Sequence, residues 1–296
     1  MPLALVLICS AALPAQETKP TTYRNAFQRA NDSIVKTSRE FFDTLFNTEL
    51  PFTSEESDWQ LHLSPKFKDI IDEPFIRFPM EMRYGFSPYT EGSIGYTPFI
   101  GNPFDSDPID SSGYLDLGFK HRAPTFINDS WELAYGLSAR LPVDEIPTDS
   151  VRDNFARYQP YAVVSHRFHS KEPWNWYLNL SYDQIDRDPF RLARRDPKPN
   201  SLVITRPGII FGPKGEWRYS LEYEYKTDRF DGGESNGHAL IPGVTWFPDH
   251  EKRQFPIPGE FDLGLTLRYN IQQLPEDNHR SDLRVSLRVR WRFSKP

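Results

Sequence analysis

The sequence predicts an all-β protein, a single antiparallel transmembrane β-barrel of about twelve strands with a short N-terminal helix. Three observations lead to this prediction. Apolar and polar residues alternate with a period of two, the apolar faces end in aromatic residues, and the connections alternate between long and short. Period-two alternation is typical of strands with two different faces. Aromatic ends and unequal connections are typical of barrels that cross a membrane.

Composition limits the alternatives. The chain has 296 residues, 35 basic and 41 acidic side chains, and a formal net charge of −6. Such a length suits one large domain or two small ones. The acidic balance argues against a nucleic-acid partner, which requires a basic surface. Mean hydropathy is −0.62, and the apolar run over residues 3–13 is too short to cross a bilayer as a helix.

The first 58 residues differ from the rest of the chain. Residues 1–15 predict a secretory signal peptide that is cleaved after Ala15. The single cysteine, Cys9, lies within it, so the mature chain would have no disulfide or thiolate site. Residues 16–58 predict a periplasmic segment with an amphipathic helix over residues 23–46. This helix would either cap the barrel or plug its lumen.

Residues 59–293 are predicted to form the barrel. The alternation is clearest in Leu283–Phe293, where apolar residues at odd positions interleave with arginines and one serine. Six further segments alternate strongly: residues 76–86, 113–119, 131–141, 174–183, 217–226 and 261–270. Five alternate less regularly: residues 59–67, 89–99, 158–168, 202–211 and 239–247.

Prolines are the main objection to this prediction. Pro79, Pro98, Pro160, Pro207 and Pro242 lie within or beside the predicted strands. Each removes a backbone donor from a ladder that has no water to replace it within a bilayer. We therefore expect these prolines at strand ends or bulges.

The last strand also carries a family resemblance. Residues 284–293, RVSLRVRWRF, look like the targeting signal of Gram-negative outer-membrane β-barrels, in which alternating apolar residues lead to a terminal aromatic. The chain departs from that pattern because Ser294, Lys295 and Pro296 follow. In size and pattern, residues 59–293 are loosely similar to the twelve-stranded transporter or phenol-degradation-pathway barrels. The resemblance implies location in the cell outer membrane, its lipid bilayer as the environment, and the barrel-assembly machinery as a partner.

The polar faces predict the lumen and its function. In the seven best segments they carry eleven basic and seven acidic residues, so the interior should be cationic. A cationic lumen predicts a passive channel or transporter for a small solute, with a preference for anions. The alternatives are a non-transporting structural or loop-displaying barrel and a secreted soluble β-sandwich. The predicted lumen-lining residues are Arg77, Glu81, Arg83, Glu132, Arg140, Arg218, Glu222, Glu224, Arg268, Arg284, Arg288, Arg290 and Arg292.

The sequence predicts no enzymatic activity, catalytic residue, cofactor or metal. A barrel phospholipase would need a serine two residues from a histidine, but Ser165 directly precedes His166. Residues 105–110 are acidic, yet they lack the glycine and terminal glutamate of a calcium loop. The seven histidines form no close metal-binding pair with a third ligand.

Overall fold

The structure is a computed structural model of the full chain. It describes residues 48–66, 74–123, 131–147, 151–168, 174–186, 199–212, 216–249, 259–274 and 283–293. The predicted signal peptide and the predicted helix over residues 23–46 lie outside the described residues.

The described residues form thirteen strands and two short 3-10 turns, Val151–Asn154 and Arg229–Asp231. The strands are β1 (Trp59–Leu63), β2 (Phe75–Arg77), β3 (Met80–Ser87), β4 (Thr90–Gly101), β5 (Ser111–Ala123), β6 (Trp131–Pro142), β7 (Arg157–Phe168), β8 (Trp174–Ile185), β9 (Leu202–Phe211), β10 (Trp217–Thr227), β11 (Asn236–Trp246), β12 (Glu260–Gln272) and β13 (Leu283–Phe293).

The strands close into one antiparallel barrel. β1 closes the sheet because it pairs with β13 on one side and with β3 on the other. Trp59 lies opposite Phe293 on β13 and opposite Tyr84 on β3. β2 and β3 both pair with β4, so together they make one barrel strand. The thirteen strands therefore form a twelve-stranded barrel, as predicted. Closure pairs the first strand with the last in the described part of the chain, as a sheet in lipid requires.

Two of the five prolines lie at irregularities in the ladder, as expected. Pro79 separates β2 from β3. Pro98 lies where the pairing of β4 with β5 shifts register between Thr97 and Phe99. Since proline has no N–H, the ladder breaks or bulges at these points.

For the other three prolines the expectation was wrong. Pro160, Pro207 and Pro242 lie inside β7, β9 and β11, each opposite a leucine on the neighbouring strand. Their rings are exposed on the outer face. The register is the same on both sides of Pro207, where Thr205 and Gly208 pair with β10. Each proline thus removes one backbone N–H donor on one side of its strand. The carbonyl group can still accept, as at Pro242, whose oxygen accepts a hydrogen bond from the Thr266 hydroxyl at 2.9 Å.

The faces of the barrel are inverted relative to a water-soluble protein. On β12, Leu263, Leu265 and Leu267 are 39 to 40% exposed, whereas Asp262 and Thr266 on the opposite face of the strand are each 2% exposed. Most other strands also place apolar side chains outside and polar ones inside, although β9 and β11 bury apolar residues on the inner face as well, among them Ile204 and Ile241. A contiguous exposed apolar belt of this kind requires an apolar surrounding. The structure therefore has the surface of a barrel that lies in lipid.

Aromatic side chains form two bands on the outer face. All seven tryptophans lie at or near the end of the barrel where β1 begins and β13 ends. Their rings contact neighbours on adjacent strands; Trp59 and Tyr84, for example, are 4.5 Å apart between centroids. Tyr182, Tyr225 and Tyr269 lie toward the opposite end of the strands. Two aromatic bands are expected at the two interfaces of a bilayer.

The two ends of the lumen differ in their connections. The end at Trp59 and Phe293, here called the turn end, includes the two-residue turn between β3 and β4. The opposite end, here called the loop end, carries longer connections, including residues 102–110 and 143–156. The sequence predicted this alternation with two exceptions, a short outer loop at residues 68–72 and a long inner turn at residues 248–260.

The predicted alternative of a soluble β-sandwich is wrong. A sandwich needs two sheets that enclose an apolar core, whereas here one sheet closes on itself and encloses polar side chains. Among the described residues, no helix is both long enough and apolar enough to cross a bilayer.

A charge on the outer face should destabilise the barrel. Leu265 lies in the middle of β12, so Leu265→Arg should lower the free energy of unfolding by about 2–4 kcal/mol, the cost of arginine near a bilayer midplane. Urea unfolding in lipid vesicles measures this difference. Phe230→Arg is the control, because Phe230 is exposed in a loop-end connection, and it should have little effect. Equal stability of the two variants would contradict the lipid-facing assignment.

Candidate channel lumen

A cavity of about 470 Å³ lies inside the barrel. Its volume is within the range of sites for small molecules. Every barrel strand contributes to its lining, together with Thr48 and Glu49. Among the residues that the structure describes, the lining contains ten basic and six acidic side chains, an excess of four positive charges. These are Lys66, Arg83, Lys120, Arg140, Arg157, Arg206, Lys226, Arg268, Arg284 and Arg288 against Glu49, Glu81, Glu91, Asp116, Asp183 and Glu224.

The positive excess lies on one half of the wall. The half from β1 to β6, counted with Lys66 and Glu49, holds four basic and four acidic side chains. The half from β7 to β13 holds six basic side chains and only two acidic ones, Asp183 and Glu224. A solute in the cavity therefore lies between a balanced wall and a cationic wall.

Arg83 on β3 organises the balanced wall. Its guanidinium contacts three carboxylates: Glu49 at 2.7 Å, Glu81 at 3.0 Å and Glu91 at 3.0 Å. Lys120 on β5 shares two of them, Glu49 at 3.0 Å and Glu91 at 3.2 Å. These side chains meet because alternate residues of β3, β4 and β5 face the lumen, and Glu91 lies directly opposite Lys120 in the ladder. Two cations thus bind three carboxylates here.

Glu224 on β10 organises the cationic wall. Its carboxylate contacts Arg206 at 2.7 Å, Lys226 at 3.2 Å and Arg268 at 2.5 Å. Arg268 on β12 also lies directly opposite Arg284 on β13. Like charges at directly opposed positions destabilise a sheet. The wall holds this like-charged pair because Arg268 contacts Glu224 and Arg284 has partners of its own.

Residues Thr48–Asp58, here called the inner segment, run inside the barrel at the turn end. Leu50 and Phe52 are buried in an apolar cluster with Tyr177, Ile210 and Phe247. The Thr48 hydroxyl donates to the buried Glu222 carboxylate. The segment therefore fills the lumen below the cavity, and Thr48 and Glu49 form part of the cavity lining.

Glu49 is the charged contact of the inner segment with the balanced wall. Burial raises the pKa of its carboxyl, but Arg83 and Lys120 outweigh burial and hold this pKa below its ordinary value. The carboxylate therefore stays ionised at neutral pH. Because the pKa is depressed, its ionic contacts are fully present above the ordinary pKa and are lost as the pH falls through the lower value.

The predicted lumen residues fall into two groups. Seven border the cavity: Glu81, Arg83, Arg140, Glu224, Arg268, Arg284 and Arg288. Six do not: Arg77, Glu132, Arg218, Glu222, Arg290 and Arg292. Of these six, Arg290 contacts Asp262 at 2.5 Å and Arg292 contacts Asp58 at 3.1 Å, so they bind neighbouring carboxylates.

The sequence missed several residues that line the cavity. Lys66, Glu91, Arg157 and Arg206 lie in or beside segments whose alternation is irregular, and Glu49 precedes the first strand. In β9 the irregularity arises because Leu202, Ile204 and Ile210, which share the inner face with Arg206, are apolar and buried. Both faces of this strand are therefore largely apolar, and alternation alone does not assign Arg206 to the lumen. No local pattern marks Glu49.

Histidines and acidic residues do not gather into a metal site in the described part of the chain. No group of three or more histidine, cysteine, aspartate or glutamate side chains there could hold a metal ion. His166 lies between Trp131 and Trp176 in the outer aromatic band, 4.7 Å from the Trp131 ring centroid. It thus belongs to the outer face of the barrel.

Solved outer-membrane barrels share this architecture. The NanC porin matches with a TM-score of 0.51 and 11% identity, over 80% of this chain and 100% of that chain. The KdgM porin matches with a TM-score of 0.47 and 10% identity, over 81% and 99%. Outer membrane phospholipase A from Escherichia coli matches with a TM-score of 0.42 and 10% identity, over 80% and 92%. No protein-family model and no curated protein sequence matches the chain.

At 11% identity, the NanC likeness shows the fold alone. The chain has the fold of an outer-membrane porin barrel, which confirms the fold class predicted from the sequence.

Removing the Glu224 carboxylate should destabilise the barrel. Glu224→Gln leaves three cations without their shared partner, and loss of one member of a buried ionic cluster costs about 3 kcal/mol. Unfolding in lipid vesicles measures the loss. Glu234→Gln, at an exposed position in a loop-end connection, should leave stability unchanged. If both variants unfold like the parent protein, Glu224 does not organise the cationic wall.

Proposed function

We propose that the protein is a passive channel of the outer membrane for small solutes, with a preference for anions. The observation that carries the proposal is the cavity inside the barrel, whose lining has four more basic than acidic side chains. Basic side chains around a narrow path stabilise anions and repel cations. The proposal requires no catalytic group and no cofactor.

The size of the barrel also supports a narrow path. Eight strands leave an interior that side chains fill, whereas sixteen or more leave a wide aqueous channel. Twelve strands lie between these limits, and the cavity of about 470 Å³ agrees with a passage for small molecules. The porin fold of the NanC match supports the same class of function.

Insertion by the barrel-assembly machinery is part of the proposal. β13 presents the alternating apolar face of such a signal and ends at the aromatic Phe293, three residues before the end of the sequence, and the rings of Trp291 and Phe293 stack at 5.0 Å between centroids. β13 also pairs with both β12 and β1, so it completes the closure of the barrel.

A second candidate function is a structural barrel without transport. The inner segment favours this alternative, because Leu50 and Phe52 fill the lumen at the turn end. The two candidates differ in a direct measurement: only the channel carries current.

Planar-bilayer recording tests the proposal. The protein is purified from membranes in detergent, inserted into a bilayer, and recorded under a potassium chloride gradient. Discrete current steps with a reversal potential closer to the equilibrium potential of chloride than to that of potassium support an anion-preferring channel. Insertion without current steps supports the structural barrel and contradicts the channel.

Two arginines of the cationic wall should determine the ion preference. Arg284→Gln with Arg288→Gln lowers the positive excess of the cavity lining from four to two. The shift of the reversal potential toward the chloride equilibrium potential should therefore fall to about half. Arg229→Gln is the control, because Arg229 is exposed in a loop-end connection and should not alter the reversal potential. An unchanged reversal potential in the double variant would show that these arginines do not set selectivity.

A further inference from the structure

The inner segment is attached to the barrel wall in two different ways. At the rim, backbone hydrogen bonds join it to β3: the Ser57 amide donates to the Gly85 oxygen at 2.8 Å, and the Gly85 amide donates to the Asp58 oxygen at 3.1 Å. Deeper in the lumen, side chains make the contacts. There the Ser54 amide and hydroxyl donate to Glu91 at 2.7 and 2.6 Å, and Glu49 contacts Arg83 and Lys120.

Arg83 and Lys120 do not need Glu49 to balance their charge. They bind Glu81 and Glu91 as well as Glu49. When Glu49 leaves, these two cations and two carboxylates remain in contact on the wall. Release of Glu49 therefore avoids the cost of an uncompensated buried charge, which makes most buried ion pairs hard to break.

Gly85 leaves the space through which the segment passes. A β-carbon at this position would lie 2.0 Å from the backbone oxygen of Glu55. The φ angle of Gly85 is not positive, so the conformation of Gly85 itself would accept a side chain. The docked segment is what leaves no room for one. The barrel wall is thus shaped to accommodate the docked segment.

We propose that the inner segment is a removable gate: docked, it closes the turn end of the lumen, and release of Glu49 from Arg83 and Lys120 opens it. This inference rests on the proposed channel function. The apolar contacts of Leu50 and Phe52 favour the docked state at rest, since undocking exposes them to water. The ionic contact of Glu49 then determines how often the gate opens.

Glu49→Gln tests the gate, with Glu56→Gln as the matched control. Both variants remove one carboxylate from the same segment, but Glu56 is exposed. A hydrogen bond to a charged group contributes about 1.5–3 kcal/mol, so Glu49→Gln should raise the open probability in bilayer recordings by about tenfold or more. Glu56→Gln should behave like the parent protein.

A second readout follows the segment without relying on current. Leu50→Cys is introduced into the parent protein and into both variants, and its labelling by a water-soluble, membrane-impermeant maleimide is timed in lipid vesicles. The buried position should react slowly in the parent protein and about tenfold faster with Glu49→Gln. Gly85→Ala provides an independent steric perturbation and should also accelerate labelling.

The outcomes separate the gate from the channel. Parent-like current and parent-like labelling in both Glu49→Gln and Gly85→Ala would overturn the gate and leave the channel intact. Faster labelling with current steps would support both. Faster labelling while every inserted variant stays silent would support release of the segment and overturn the proposed channel function.

Discussion

A closed hydrogen-bonded ladder in an apolar medium is the constraint on which the rest of the structure depends. Within hydrocarbon, an unpaired backbone group costs several kcal/mol, so every strand must pair on both sides and the first strand must meet the last. The contact of Trp59 with Phe293 and Tyr84 in register satisfies this condition. Once the ladder is closed, alternate side chains must face lipid, and those between them must face the lumen.

This division of faces confines the charged side chains to the lumen, where they must be paired or hydrated. The balanced wall pairs them around Arg83, and the cationic wall pairs them around Glu224. The two arrangements are opposite in sign: one cation binds three carboxylates, and one carboxylate binds three cations. Their asymmetry leaves the positive excess on the half from β7 to β13, and this excess is the basis of the proposed anion preference.

Much of the fold could be predicted from the sequence, because it depends on local alternation. In β12 and β13 every second residue is apolar, and the structure places these residues outside. Pro160, Pro207 and Pro242 were harder to place, since a proline alone does not reveal whether its strand lies within a closed ladder. Closure allows one missing donor when both neighbouring strands keep their register.

The lumen was less predictable than the strands. Alternation assigns a residue to the inner face, but it does not determine its depth or its partners, so Arg290 and Arg292 are on the predicted face yet do not border the cavity. Glu49 could not be found locally, because its role depends on residues 34 and 71 positions later in the chain. Contacts of this separation follow from barrel closure and from the path of the inner segment.

A cysteine scan of residues 262–269 measures directly which side chains of β12 face lipid and which face the lumen. Each position of this stretch receives a fluorescent label in lipid vesicles, and quenching is compared between a lipid-borne and a water-soluble quencher. We expect alternation with a period of two, with lipid quenching strongest at residues 263, 265, 267 and 269. Quenching that does not alternate, or a protein that remains in solution without detergent, would contradict a barrel with an apolar exterior and a charged lumen.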